Sequence, residues 1–91
     1  MSTTAVYNDL TCFLISVFSQ ITGDPLTIAN SLNMLSVKTP SGRGWGYVSV
    51  TKARDLIIPR RETFNSLTPV ERNYYLALAQ VNRVTTHKGN K

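Results

Sequence analysis

The segment Thr39-Pro40-Ser41-Gly42-Arg43-Gly44 limits the folds open to this chain more than any other, because Pro and two Gly residues stop a helix. Before it, apolar residues recur at the spacing of one helix face: Ile28, Ala29, Leu32 and Leu35. After it come Trp45, the only Trp, and a segment that interleaves apolar residues with hydroxyls and cations. Two short helices joined by a turn, the second carrying polar groups, are the outline of a helix-turn-helix.

Residues 36–50 also fit a short β-hairpin, because Val48 and Val50 alternate with Ser49 and Thr51. Local propensity slightly favours that hairpin, since Tyr, Val, Ser and Thr are mediocre helix formers. The other interpretation is an extended turn followed by a helix over residues 46–57. The two interpretations differ in fold class, and local propensity does not decide between them.

A longer motif supports the helix, and its matching residues follow one another without a gap in spacing: Ile28, Ala29, Leu32, Asn33, Val37, Thr39, Pro40, Gly42, Trp45 and Val50. This set resembles the helix-turn-helix of the large serine recombinases, commonly written I-A-x-x-L-N-x-x-G-I-x-T-P-x-G-x-x-W-S-x-x-x-V. Ser36 stands where that family usually has Gly, and Gly46 where it has a capping Ser. Ala53 and Arg54 replace its closing Ile-Leu. The resemblance favours a helix over residues 46–57.

The resemblance implies the DNA-reading part of such a protein alone, because 91 residues leave no room for a recombinase catalytic domain. Phosphate contacts are implied for the turn residues Thr39, Ser41 and Arg43, and major-groove contacts for residues of the second helix: Tyr47, Ser49, Thr51 and Lys52. The alternative is an ordinary solvent-facing set. The apolar residues of the motif, with Trp45 among them, are predicted to pack the two helices together rather than to contact bases.

The charged residues are distributed unevenly along the chain. Residues 1–37 contain two acidic residues and no Lys or Arg, whereas residues 38–91 contain all ten Lys and Arg against three acidic residues. Such an excess of cations on one part of a small domain favours a polyanionic partner, most commonly nucleic acid. Further phosphate partners are therefore predicted at Lys38, Arg60 and Arg61.

Catalysis is not expected. One His and one Cys do not make a metal site, and the five carboxylates form no acid-base pair in the sequence. No cofactor is expected either. Cys12 is predicted to be a small buried hydrophobe, and nothing argues against a reducing cytoplasm. No apolar run approaches the ~20 residues of a membrane span, so no membrane partner is expected.

We predict one mainly α domain over residues 1–85, a small helix-turn-helix bundle of about four helices. Residues 86–91 are predicted to be a basic mobile tail. A first helix is predicted from about Ala5 to Thr22, and Asp24 and Pro25 begin the second. A polar connector is predicted after Pro59. Thr68, Pro69 and Glu71 then begin a last helix that runs to about Val84.

The last helix carries more apolar residues than one buried stripe requires. We predict that one set covers the core: Val70, Tyr74, Ala77 and Val81. A second set would stay partly exposed: Tyr75, Leu76 and Leu78. Exposed apolar patches mark interfaces, so a homodimer through residues 69–83 is predicted. The alternative is that the same residues complete the core of a monomer.

Together these features predict a sequence-specific duplex DNA-binding protein. It would be a transcriptional regulator or recombination accessory factor of a phage, plasmid or other mobile element, this origin resting on the family resemblance. The alternative is a small viral or phage structural protein with an α-β-β-α core, whose basic half binds RNA or packaged genome without reading sequence. A strand within residues 46–57 would favour that alternative.

Overall fold

Five helices form the regular secondary structure of residues 6–57 and 61–84, which are the residues that the computed structural model describes. In chain order they are α1 (Asp9–Ile21), α2 (Pro25–Met34), α3 (Tyr47–Leu56), α4 (Arg61–Asn65) and α5 (Pro69–Val81). These two ranges contain no strand, so the mainly α fold class is confirmed. The β-hairpin over residues 36–50 is not formed. The helix predicted over residues 46–57 is present as α3.

The helix α1 lies at the centre of the fold, because it packs against each of the other four helices. Asn8 caps its first turn: the side-chain Oδ1 accepts a hydrogen bond of 2.8 Å from the backbone N–H of Thr11. The helix therefore begins at Asp9, later than the apolar pattern predicted. Four of its buried residues are apolar: Leu14, Ile15, Val17 and Phe18.

The core joins α1, α2 and α3 with one residue of α5. It contains the following buried residues: Leu14, Ile15, Phe18, Ile28, Ala29, Leu32, Val37, Trp45, Val50, Ala53, Ile57 and Ala79. All the residues of the motif that were predicted to pack the two helices together belong to this cluster. The packing role predicted for Trp45 is confirmed, since only 5% of its surface is exposed.

The ends of α2 are closed by local hydrogen bonds. Asp24 caps the start, as predicted, by accepting bonds from the backbone N–H of Leu26 and, at 2.7 Å, from the hydroxyl of Thr27. At the other end Ser36 has a φ of 61°, the one positive φ of a non-Gly residue in the described ranges. The N–H groups of Ser36 and Val37 donate to the carbonyls of Asn33 and Leu32, each at 3.0 Å. This pattern is a Schellman motif, in which a left-handed residue ends the helix.

The connector predicted after Pro59 is wrong for residues 61–65, which form the short helix α4. This helix packs on α1, half-buries Phe64, and is followed by Leu67, which is buried. Five residues are too few to be stable as an isolated helix, so the contact with α1 stabilises it. Helix propensity and polarity along the chain give no information about that contact, so they do not predict α4. Residues 58–60 lie outside the described ranges.

The helix α5 begins as predicted. The Thr68 hydroxyl accepts a hydrogen bond of 3.1 Å from the N–H of Glu71, and the Glu71 carboxylate accepts one of 2.8 Å from the N–H of Thr68. This is a complete capping box, with Pro69 at the first helical position. The helix ends at Val81, before the predicted Val84. The tail predicted over residues 86–91 lies outside the described ranges.

The buried face predicted for α5 is wrong. The residues that pack on the core are Tyr75, Leu78 and Ala79. The set predicted to cover the core is exposed instead: Val70, Tyr74, Ala77 and Val81. Tyr75 decides the orientation, because its ring contacts Phe13 and Phe18 of α1 edge to face, at centroid distances of 6.1 and 5.7 Å. Both sets have helical spacing, so the periodicity of α5 alone does not distinguish them.

Candidate nucleic-acid interface

A pair of hydrogen bonds connects the end of α2 to the start of α3. The Asn33 side chain donates from Nδ2 to the carbonyl oxygen of Trp45 at 2.9 Å and accepts at Oδ1 from the Trp45 N–H at 2.7 Å. We call this pair the Asn33–Trp45 clamp. A Cβ atom on Gly44 would lie 3.4 Å from Asn33 Oδ1, which shows that the loop lies in contact with the side chain at the end of α2. The clamp fixes where α3 begins relative to α2.

The loop inside the clamp is closed by its own hydrogen bonds. The N–H of Thr39 donates to the Arg43 carbonyl and the N–H of Gly42 to the Thr39 carbonyl, both at 2.8 Å. Gly42 has a φ of 84°, which Gly adopts without strain. The hydroxyls of Thr39 and Ser41 lie 3.0 Å apart, and that of Thr39 also accepts from the N–H of Arg43. The loop thus holds the side chain of Arg43 outward on a closed turn.

Trp45 anchors this loop in the core. Its ring stacks on that of Tyr7 at a centroid distance of 6.3 Å and an interplanar angle of 28°. Tyr7 precedes α1, so the stack connects the start of the first helix to the start of α3. Sequence reasoning assigned no role to Tyr7, because nothing in the residues around it marks a contact with Trp45.

The helix α3 divides into a buried and an exposed side. Val50, Ala53 and Ile57 enter the core. We define the outer face of α3 as its exposed residues before Leu56: Tyr47, Val48, Thr51, Lys52 and Asp55. Three of the four residues predicted to reach the major groove lie on this face. Val48 and Asp55 were not predicted, although the spacing of the buried residues would have located both.

Ser49, the fourth predicted residue, is half-buried at the start of α3. Its hydroxyl accepts a hydrogen bond of 2.8 Å from the N–H of Gly46 and donates one of 3.2 Å to the Gly46 carbonyl. Gly46 has no side chain with which to cap the helix, so only half of a capping box is formed here. The Ser49 hydroxyl therefore closes the first turn of α3, a role that its position in the sequence did not indicate.

Five of the predicted contact residues meet in one cavity of about 220 Å³ between the loop and α3. They are Thr39, Ser41, Arg43, Ser49 and Lys52, and the wall is completed by Tyr7, Pro40, Gly44 and Trp45. We call it the loop cavity. Two cations, hydroxyl groups and a backbone loop are the usual partners of a phosphate oxygen.

The other two α3 residues lie along the opposite edge of the outer face. Tyr47 and Thr51 line a cavity of about 460 Å³ together with Arg54, Asp55 and the start of α2. The guanidinium of Arg54 donates to the carbonyl of Gly23 at 3.1 Å. Sequence reasoning omitted Arg54, although its place one turn after Thr51 indicated this position.

The remaining predicted residues are not brought to α3. Lys38 is exposed beside the start of α1, where it lines a separate cavity. Arg61 is exposed on α4, which has its main contacts with α1. Arg60 lies outside the described residues. The structure therefore gathers the predicted site around α3 and its loop and leaves the outlying cations apart.

No three His, Cys, Asp or Glu side chains within residues 6–57 and 61–84 are grouped to hold a metal ion. Burial raises the pKa of the Cys12 thiol, and the charge of Asp9 raises it further, so the thiol stays protonated at neutral pH. In the same ranges no helix has the length and apolar character to cross a membrane.

Comparison of the chain with models of known protein families, with curated proteins and with solved structures finds no match.

Proposed function

We propose that this protein binds duplex DNA sequence-specifically through a helix-turn-helix formed by α2 and α3. It would act in the cytoplasm as a transcriptional regulator or recombination accessory factor of a phage, plasmid or other mobile element, without a catalytic activity or cofactor of its own. One observation carries the proposal: α3 is held by the Asn33–Trp45 clamp with a polar outer face open to solvent and cations on both edges.

The geometry of α3 suits the major groove of DNA because one side of the helix is buried in the core and the other is exposed. Val50 and Ala53 are fully buried, which fixes the rotation of the helix. The outer face is then free to enter the major groove, whose width admits one α-helix. In homeodomains the third of three helices reads the major groove, and the proposal gives α3 the same task.

The cations around α3 favour phosphate contacts on each side of such a groove. Arg43 and Lys52 lie together at the loop cavity, and Arg54 lies along the other edge. Phosphate contacts position a protein on DNA, whereas contacts with base edges supply sequence preference. The loop cavity therefore acts as a positioning site for one backbone phosphate.

The helical state of residues 47–56 also bears on the alternative function. The alternative is a small viral or phage structural protein with an α-β-β-α core, whose basic half binds RNA or packaged genome without reading sequence. Residues 36–57 contain no strand. The helix-turn-helix proposal needs no such core. Binding without sequence preference remains an outcome of the experiment below.

Selection from a pool of random-sequence duplexes with the full chain tests the function. We expect enrichment of one short site. The affinity for that site should fall steeply with salt. In a plot of the logarithm of the binding constant against the logarithm of the salt concentration, each neutralised phosphate should contribute about 0.9 to the magnitude of the slope. Replacing Arg43 with Ala should remove one phosphate contact and so lower the magnitude of that slope by about 0.9. Arg83→Ala, which removes an exposed cation after the end of α5, is the matched control and should leave the slope nearly unchanged.

Two other outcomes would contradict the proposal. Salt-dependent binding with no enriched sequence would favour the non-specific genome-binding alternative. Absence of binding at low salt would exclude a nucleic-acid role for the chain under those conditions.

We also propose that the DNA-bound form is a homodimer joined through α5. The outer stripe of α5 consists of Val70, Tyr74, Ala77 and Val81, and Val70 and Val81 are 78% and 71% exposed. An apolar stripe along one helix is self-complementary when two copies meet about a two-fold axis. Pairing two reading helices on a two-fold DNA site is the usual arrangement for small helix-turn-helix proteins.

Sedimentation equilibrium with and without the selected duplex tests the dimer. Val70→Lys with Val81→Lys should abolish pairing and leave the core intact, because neither residue is buried. Leu78 is unsuitable for this purpose, since it packs against the core. Gln80→Lys, on the same helix beside the stripe, is the control for adding one positive charge. A wild type that stays monomeric at micromolar concentration on DNA would disprove the dimer.

A further inference from the structure

The centre of the outer face of α3 is occupied by residues that carry no positive charge. Val48 and Asp55 are seven residues apart, which places them about two turns apart on one line along the helix. That line lies opposite the buried residues Val50, Ala53 and Ile57. Val48 is 68% exposed, and Asp55 is also exposed. We call this pair the central line of α3.

The cations lie to the two sides of the central line. Lys52, with Arg43 of the loop, borders one side. On the other side Asp55 lines a cavity with Thr51 and, farther from the central line, Arg54. A helix in the major groove turns its edges toward the two phosphate strands and its centre toward the base edges. The cations are therefore placed for phosphates, and the central line is placed for bases.

The two residues of the central line match specific base edges. A branched aliphatic side chain makes apolar contact with the C5-methyl group of thymine. A carboxylate accepts a hydrogen bond from the N4 amino group of cytosine, and near DNA it is repelled by phosphates unless such a donor meets it. We infer that Val48 and Asp55 determine the base preference, Val48 by contact with a thymine methyl and Asp55 by accepting from a cytosine amino group. This inference rests on the proposed function.

Asp55→Asn provides a test in which charge and base recognition give different results. The proposed contact requires a cytosine in the selected site, preferred about tenfold or more over adenine at that position. Asn pairs with adenine at N6 and N7, so the variant should change its preference at that one base pair from cytosine to adenine. Glu62→Gln, an exposed carboxylate on α4, is the control for loss of one negative charge and should leave the preference unchanged.

Thymine-to-uracil substitution in the selected duplex tests Val48, because uracil lacks only the methyl group. At one position the substitution should lower wild-type affinity about fourfold, the effect of one buried methyl group. The Val48→Ala variant should bind the thymine and uracil duplexes equally. Thermal unfolding of both variants should match the wild type, since neither side chain is buried.

Three results separate the inference from the function on which it rests. If Asp55→Asn binds all duplexes more tightly with an unchanged preference, Asp55 acts by charge alone and its role as a base reader is wrong. If no thymine position responds to uracil, the role of Val48 is wrong, while the proposed function stands. If random selection with the wild type enriches no sequence, the proposed function and this inference fail together.

Discussion

The helices α3 and α5 both expose one side to solvent. The two exposed sides differ in their side-chain chemistry, and the two helices differ in how their first turns are capped. The outer face of α3 mixes an aromatic, an aliphatic, a hydroxyl and both charges, whereas the outer stripe of α5 is apolar at each of its positions but for one tyrosine hydroxyl. The start of α5 is closed by its own side chains through the capping box. The start of α3 lacks a side-chain cap on Gly46 and depends on Asn33, which lies in another helix.

This difference separates two ways of placing a helix. The capping box begins α5, and the packing of Tyr75, Leu78 and Ala79 places the helix on the core. The position of α3 depends on a connection across the loop, so the chain can hold a polar face outward at a fixed angle. A mixed polar face suits a nucleic acid and an apolar stripe suits a protein surface, which is why we assign them different partners.

The largest effect should come from the two adjacent tyrosines of α5. Tyr75→Ala should lower the free energy of unfolding by about 2–3 kcal/mol, because it removes the ring packed on Phe13 and Phe18. Tyr74→Ala should cost less than about 1 kcal/mol, since that ring is half exposed. Urea denaturation of both variants measures the difference. Equal losses would mean that the rotation of α5 described above is incorrect.

The clamp should have the next largest effect. Asn33→Ala should lower the stability by about 2 kcal/mol, roughly 1 for each of the two hydrogen bonds lost. It should also weaken binding to the selected duplex, because α3 then loses its fixed start. Asn30→Ala, an exposed residue of the same helix, is the control. A stable variant with unchanged DNA affinity would show that packing around Trp45 alone places α3.

A smaller gain is expected at the end of α2. Ser36 holds a φ of 61°, which costs roughly 1–2 kcal/mol in a residue with a Cβ atom. Ser36→Gly removes that cost but adds freedom to the unfolded chain, so the net gain should be about 0.5–1 kcal/mol. Ser36→Val is the opposing control and should destabilise, because β-branched residues disfavour positive φ. Thermal unfolding of the pair distinguishes backbone strain from other effects of the site.

The smallest effect is expected at the start of α3. A Cβ atom on Gly46 would meet no atom within 4 Å, and the backbone there is extended. Gly46→Ser should therefore add a cap and raise the stability by a few tenths of a kcal/mol. Thr68→Ala at the start of α5 is the reverse experiment and should cost about 1 kcal/mol. If Gly46→Ser destabilises, the start of α3 does not have the open geometry described here.

The positions Ser36 and Gly46 are two of the four at which the chain departs from the recombinase motif that it resembles. The usual Gly at the first position has a physical reason in this structure, since the residue there adopts a left-handed conformation. The usual Ser at the second position is the helix N-cap, a place that Gly46 occupies here. These two departures fall on helix ends, and Trp45 and Val50 are buried in the core.

The sequence by itself determined the mainly α fold class, the caps at Asp24 and Thr68, and the buried residues of the motif. These follow from local causes, namely side-chain caps, Pro geometry and helical periodicity, which act over a few residues. The sequence also located the loop between α2 and α3, because Pro40 and Gly42 cannot continue a helix.

Only the tertiary structure decided the buried face of α5, the helical state of residues 61–65 and the role of Ser49. The face of α5 depends on Phe13 and Phe18, which lie more than fifty residues away in the chain. The helix α4 depends on its contact with α1, and the Ser49 hydroxyl is bound to the backbone N–H and carbonyl of Gly46. Two equally apolar stripes have the same periodicity, and only the shape of the surface that they meet determines which one is buried.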